Sequence, residues 1–459
     1  MRLPNQSARD QLLSVLGRRP RSSTTEIAAA LGLSVRSLHR MLAELPPEQW
    51  VCAGQARRTR YARRRALRGA FANIPLYEIG ESGEAKLVSK LALICPEGSL
   101  MPLTASAWPV PPDSDDGWWE GLPYPIYDMR PQGFIGRQFA RAEHLRLGVA
   151  QNPDEWNDDD VVAVLSRTGW DMSGNLLLGD EAHHHWLNHK LAPNQPVIDS
   201  RLGEHYVRQA HNALGAGVPT SSAAGEFPKF TALREQGQDT PHVLVKFSGA
   251  GESAAERRWA DLLVCEHLAL ECASTLDGVK CARTRILQES GRTFFESERF
   301  DRIGQHGRLP LCSLESLVHA LIGGNSTDWP VLAARLHGLG LLRIEVISAV
   351  QRLWWYGRLI GNTDMHLGNL SLYIEKPLRL APAYDMLPMT YAPLPGGEVP
   401  PREFSPPLPL PEQRDVWNTA CEAALDFWRR AGADTRISEP FQRLSTANGI
   451  RLEQIASKI

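Results

Sequence analysis

Charge is divided so unevenly along this chain that at least two chemically distinct parts are required. Residues 1–68 carry fourteen arginines, no lysine and four acids (Asp10, Glu26, Glu44 and Glu48), a net +10. The full 459 residues sum to −2, which leaves −12 on the remainder. A basic head on an acidic body points to a polyanion as the head's partner and to a different task for the body. The 43% hydrophobic and 22% charged content belongs to a folded protein and excludes wholesale disorder. No apolar run approaches ~18 residues, so no membrane-spanning helix is expected and no membrane partner follows. Seven cysteines without a CxxC pair, and no secretory leader after Met1, are expected to be reduced thiols of a cytoplasmic protein.

The head has a readable order. Leu12, Leu13 and Leu16 set a helix over residues 7–17. Thr24 or Thr25 is placed to cap a second helix over 26–31, which Gly32 ends. Ser34 caps a third over 35–45, with Leu38, Met41, Leu42 and Leu45 inward and Arg36, Ser37 and Arg40 outward, before Pro46 and Pro47 stop it. A strand at 50–52 and the ribbon Arg57-Arg58-Thr59-Arg60-Tyr61-Ala62-Arg63-Arg64-Arg65 follow. This order resembles a winged helix-turn-helix over residues 1–70. It makes double-stranded DNA the expected partner, with Arg36, Ser37 and Arg40 in the major groove and Arg57, Arg58, Arg60, Arg63, Arg64 and Arg65 on phosphates. Two half-sites favour a homodimer. A protein-interaction module is the alternative for such a head.

Residues 70–190 say less. Trp118, Trp119, Pro123 and Pro125 suggest packed irregular loops, and Asp154, Glu155, Asp158, Asp159 and Asp160 an acidic helix start. His183-His184-His185 with His189 has no supporting cysteine and reads as polar surface rather than a metal site. Eight prolines between 393 and 411 mark a surface excursion before two closing helices.

Chemistry concentrates between 220 and 390. An amphipathic helix over 341–360 leads into Gly361-Asn362-Thr363-Asp364-Met365-His366-Leu367-Gly368-Asn369, followed by a short strand. Asp, four residues, then Asn before a strand is the spacing of a kinase catalytic loop, where Asp orients the attacking hydroxyl and Asn ligates Mg²⁺. Tyr384-Asp385, after a further strand, supplies the second expected metal ligand. Upstream, Lys246 stands in the β-rich run 242–247 and is the candidate phosphate lysine. Glu256, at the start of a helix over 253–270, is the acid expected to hold it. The segment 294–302 turns polar like an interlobe hinge, which makes Glu298 and Phe300 candidates for nucleotide contact.

Together, Glu298-Arg299-Phe300-Asp301-Arg302, the 361–369 loop and Tyr384-Asp385 resemble the HipA family of bacterial serine/threonine kinases. Ser222-Ala223-Ala224-Gly225-Glu226-Phe227-Pro228-Lys229 is similar to the family's Ser-x-x-Gly-x-Gln-x-Lys loop, with Phe227 in place of Gln. With its basic head the chain looks most like the YjjJ-type subgroup, in which a winged helix is fused to the kinase. The resemblance implies an α+β, bilobal protein-kinase-like body, its N-terminal lobe at 71–300 and a mostly helical C-terminal lobe at 301–459. It further implies ATP and Mg²⁺ as cofactors, Asp364 as base with His366 beside it, and Asn369 and Asp385 as metal ligands. Lys246, Lys229 and Gly225 would line the phosphate side, and Ser222 would be autophosphorylated, with Thr220 and Ser221 as neighbouring alternatives. Partners implied are a protein substrate, such as an aminoacyl-tRNA synthetase or another translation factor, and an antitoxin. One departure bears on catalysis: the family's Asp-x-His-x-Lys-Asn has Gly368 here in place of Lys, removing a cation near the transferred phosphoryl group.

Three readings follow. The first is an active toxin-like kinase with its own DNA-binding head. The second is a DNA-binding regulator whose body binds nucleotide without transfer. The third is a metal-dependent nuclease using Asp364, His366 and Asp385.

Overall fold

The structure is a computed structural model that describes residues 6–103, 106–215, 227–235 and 239–459. The chain forms two compact units, one of residues 1–80, 84–130 and 155–192, the other of 81–83, 131–154 and 193–459.

The first unit begins with helices Gln6–Arg18, Thr24–Leu31 and Val35–Glu44. Leu12, Leu16, Ile27, Leu38 and Leu42 form their shared core, as apolar residues at helical spacing must when three short helices meet. The second helix is capped by Ser23, not by Thr24 or Thr25: Ser23 and Glu26 close a capping box that uses both residues' side chains. Gly32 ends it in the left-handed conformation that glycine adopts without steric cost. Ser34 caps the third helix. Strands Trp50–Ala53 and Arg60–Arg63 then pair antiparallel, with Trp50 opposite Arg63.

This hairpin does not end in a free linker. Arg64 bridges to Ile94, and Ala62 packs with Ile94, Leu100 and Trp118. Leu100 and Trp118 belong to, and Ile94 directly follows, strands of a five-stranded antiparallel sheet ordered Trp118–Trp119, Ser99–Leu100, Ala85–Leu93, Ile74–Ile79, Leu176–Leu178. Helix Asp158–Thr168 starts on Asp158, Asp159 and Asp160 behind an Asn157 capping box, a favourable end for negative charge. Helix Asp180–Leu191 carries the histidines; the His183 ring stacks on Tyr77 with ring centres 4.3 Å apart.

The second unit contains a four-stranded antiparallel sheet ordered Thr284–Glu289, Arg292–Glu298, His242–Phe247, Lys229–Leu233. Strand alternation sorts its middle strand. Val243, Val245 and Phe247 join a core with Phe134, Leu202, Tyr206, Phe230 and Phe294, so Lys246 points to the opposite face. Helix Ala254–Ala273 covers that face. Beyond the sheet the unit becomes mostly helical, with Leu314–Leu321, Trp329–Gly338, Ile344–Leu359, Arg414–Ala433 and Glu439–Ala456. A three-stranded antiparallel sheet, Leu311–Ser313, Ser371–Tyr373 and Arg379–Leu380, is set among them. Residues 392–410 have no regular structure, with Leu408 and Leu410 exposed and Phe404 buried.

Candidate functional site

Lys246 is the centre of the site. It is 5% exposed, and its ammonium lies 2.8 and 2.9 Å from the two carboxylate oxygens of Glu266 and 2.5 Å from Oδ1 of Asp385. Strand pairing places Phe295 opposite Lys246, and the rings of Phe295 and Phe227 lie 5.5 and 5.8 Å from the ammonium. Burial alone would lower the lysine's pKa; the charges of Asp385 and Glu266 outweigh it and raise it, keeping the ammonium charged. Burial pushes the Glu266 carboxyl up to about 7, against the pull of Lys246 and with repulsion from Asp385 adding to it. Burial also acts to raise Asp385, but Lys246 and then Lys229 overcome it and hold that carboxyl below its ordinary range.

The acid that holds Lys246 is therefore Glu266, not Glu256. Glu256 sits in the first turn of helix Ala254–Ala273, where it closes a capping box with Ser253 and accepts from the Gly251 N–H. Its carboxylate occupies the space that side chains at Gly249 or Gly251 would need. Glu266 lies nearly three turns further on, twenty residues after Lys246, where the helix lies over the sheet. A signal was present in the sequence: Glu266 is a lone acid inside the apolar run Leu262–Leu270, and a buried carboxylate demands a partner.

The catalytic-loop candidates are held by backbone and amide bonds. Helix Ile344–Leu359 ends at Gly361, which turns the chain at φ +76. Buried Asn362 accepts from the Asp364 N–H through Oδ1 at 3.0 Å and donates from Nδ2 to the Asp385 carbonyl at 3.2 Å. The Asn369 Nδ2 donates to the Asp364 carbonyl at 2.8 Å, so the amide oxygen is the atom left to face a cation. The His366 Nδ1 accepts from the Gly368 N–H at 3.1 Å, and the Tyr384 hydroxyl donates to the Gly368 carbonyl at 2.6 Å. Sequence reasoning missed Asn362 because turn positions are commonly Asn. Asp385 is in the left-handed region at φ +57, a strained state for a non-glycine residue that persists only where surroundings fix it.

Asn369 and Asp385 offer oxygen ligands, one neutral and one anionic. That set fits Mg²⁺, which takes one or two carboxylates and completes its shell with phosphate and water. Among the described residues no cluster of three or more His, Cys, Asp or Glu could hold an ion by itself.

At the expected hinge, buried Glu298 pairs with Arg234 at 2.5 Å, and Asp301 is clamped by Arg299 and Arg302. The Phe300 ring lies 5.6 Å from that of Tyr384, and the Phe300 carbonyl accepts from the Tyr373 hydroxyl at 2.7 Å. Lys229 lies opposite Lys246 in the paired strand. Ser222, Gly225, Thr220 and Ser221 lie outside the described residues.

In the head, Arg36, Arg40, Arg57, Arg58 and Arg63 are exposed, as is His39, which the sequence reading passed over. Ser37 is half-buried, with its hydroxyl 2.9 Å from that of the cap Ser34. Arg60 is half-buried and donates to the carbonyls of Arg57 and Thr59. The expected phosphate contacts at Arg64 and Arg65 need correction, because both guanidinium groups are engaged within the protein. Arg64 is 5% exposed and donates to the Ala72 carbonyl and Asn73 Oδ1 at 2.6 and 2.8 Å. Arg65 reaches Asp159 at 2.7 Å and the carbonyls of Ile94 and Pro96 at 2.6 and 2.9 Å. Arg68 pairs with Asp160 at 2.5 Å.

Comparison with known proteins adds to this geometry. Residues 70–187 match the family described as YjjJ-like toxin, middle domain, and residues 221–443 match the HipA-like C-terminal domain. The chain is 34% identical to Toxin YjjJ of Escherichia coli (strain K12) over 451 residues, covering 98% of each protein. Its fold is similar to that in the Shewanella oneidensis MR-1 toxin–antitoxin complex of HipA, HipB and operator DNA. The TM-score is 0.56 at 14% identity, over 84% of this chain and 97% of that one. An α+β fold shared with HipA, and 34% identity to Toxin YjjJ along nearly its whole length, establish that the chain belongs to the HipA-like toxin family.

Proposed function

We propose that this protein is a Mg·ATP-dependent serine/threonine protein kinase of toxin type whose basic head binds double-stranded DNA. The observation that carries the reading is Lys246, buried between Glu266 and Asp385 beside a loop that presents Asp364 and Asn369. Lys246 would bond the ATP phosphates while Glu266 keeps its ammonium charged and oriented. Asn369 and Asp385 would hold Mg²⁺, which supplies charge neutralisation to the transferring phosphoryl group. Asp364 would orient the acceptor hydroxyl and take its proton. Glu298 and Phe300 would face the nucleotide from the strand end, and Ser222 would be the self-modified residue. The head would read DNA with Arg36, Ser37 and Arg40 and grip phosphates with Arg57, Arg58, Arg60 and Arg63. A cytoplasmic site of action, a translation-machinery substrate, an antitoxin and a homodimer complete the proposal.

Incubation with γ-labelled ATP and Mg²⁺ tests it. Label should appear on the wild-type chain or a protein substrate and vanish in Asp385→Asn. Asp364→Ala should retain ATP binding by calorimetry while losing transfer. Equal transfer by Asp364→Ala and wild type would refute the assignment. Gly368 favours a second reading, a DNA-binding regulator whose body binds nucleotide without transferring phosphate, because no lysine neighbours Asn369. ATP binding with no label in any protein would select it.

A further inference from the structure

We propose that Asn362 is a positioning residue that fixes the candidate base Asp364 relative to the candidate metal ligand Asp385. The inference rests on the kinase reading and deepens it. Asn362 is 6% exposed, and both ends of its amide are used: Oδ1 accepts from the Asp364 N–H at 3.0 Å, and Nδ2 donates to the Asp385 carbonyl at 3.2 Å. Its own backbone is anchored, since its N–H donates to the Gly357 carbonyl at 2.8 Å and the preceding Gly361 carbonyl accepts from both the N–H and the hydroxyl of Thr390. One side chain thus ties the end of helix Ile344–Leu359 to the loop carrying Asp364 and to the irregular segment carrying Asp385.

The Asp385 backbone explains why such a tie is needed. At φ +57 it is strained, and a part-buried carbonyl held by a buried amide is the kind of constraint that keeps it there. The Tyr384 hydroxyl on the Gly368 carbonyl makes a second stitch between the same two segments. No other short side chain does both jobs of Asn362: a carboxylate lacks the donor, a hydroxyl is shorter, and an apolar group leaves the Asp364 N–H and the Asp385 carbonyl without these partners. Loss of the donor should let Asp385 leave the geometry in which it meets metal, while loss of the acceptor frees the Asp364 backbone.

The test uses full-length Asn362→Ala and Asn362→Asp, with ATP titrated by calorimetry with and without Mg²⁺ beside the γ-labelled transfer assay. Asn362→Asp keeps an acceptor for the Asp364 N–H but has no donor for the Asp385 carbonyl, and it carries the test if Asn362→Ala does not fold. Metal-free ATP affinity should stay within about twofold of wild type. The tightening produced by Mg²⁺ should weaken roughly 10- to 100-fold in both variants, as loss of a ligand-orienting partner does. Transfer should fall over the same range. A purely structural role would lower the thermal midpoint and leave the Mg²⁺ dependence of binding unchanged; that result, or wild-type behaviour in Asn362→Asp, overturns the proposal. If wild type binds Mg·ATP and the variants show these shifts, yet wild type transfers no phosphate, the positioning of Asp385 stands and the kinase reading falls. If wild type binds no ATP at all, both fall.

Discussion

Replacing Glu266 by Gln should remove a pH dependence that the site builds into the protein. The folded carboxyl titrates at about 7, against an ordinary value of 4.5, because burial opposes its charge. An acid raised in this way binds its proton more tightly in the folded state. Its contribution to stability is therefore complete below about pH 4.5 and is lost as pH rises to about 7, beyond which the curve is flat. The lost contribution is on the order of 3 kcal/mol, from the displacement of the pKa. Asp385 does not blur this window, because its carboxyl is held below its ordinary range and stays ionised throughout. Lys246 is raised and titrates far above it. His183, His205 and His267 are lowered, chiefly by burial, and contribute a slope of opposite sign. Both proteins share that slope, so it cancels in the difference. The assay is urea unfolding of wild type and Glu266→Gln at half-unit steps from pH 4.5 to 8. The stability of Glu266→Gln relative to wild type should climb across pH 4.5–7 and then level. In the transfer assay, wild type should gain activity through about pH 7 as Glu266 ionises, and Glu266→Gln should lack that limb. Parallel stability curves across the whole range would refute the burial argument.

Three further outcomes follow from the same geometry. Arg65→Ala should destabilise the chain by about 1–3 kcal/mol, because it removes charge-assisted bonds to half-buried Asp159 and to two carbonyl acceptors, as thermal unfolding would show. Arg63→Ala should leave stability nearly unchanged and weaken DNA binding with a shallower salt dependence, measured by fluorescence anisotropy across salt concentrations. Gly368→Lys should cost about 1–3 kcal/mol, since the new Cβ would stand 2.9 Å from the His366 ring, and adding His366→Ala should relieve most of that cost in a double-mutant cycle.

The local half of this protein was legible in its residues. Apolar periodicity placed the three head helices and helix Ile344–Leu359 within a few residues of their ends, and Ser34 and Gly32 acted as the cap and stop their chemistry requires. The β-rich run placed Lys246 on the strand His242–Phe247, and the Asp364–Asn369 spacing closed into a loop spanned by an amide bond, whereas Asp385 lies in irregular backbone beyond the short strand Arg379–Leu380. These features depend on neighbours a few residues away, so sequence order carries them. Which partner a charge finds was decided by the tertiary structure. Glu256 and Glu266 are both acids on one helix, and only the crossing of that helix over the sheet brings the second to Lys246 while the first is spent on its own helix start. Arg63, Arg64 and Arg65 form one continuous run, yet the approach of Ile94, Asn73 and Asp159 beyond the end of the strand engages two of them within the protein and leaves one in solvent. Asn362 was an ordinary turn residue until the fold carried Asp385, 23 positions later, to its amide. Charge type and periodicity are properties of the chain, whereas a buried charge or amide takes its meaning from whichever distant segment must satisfy it.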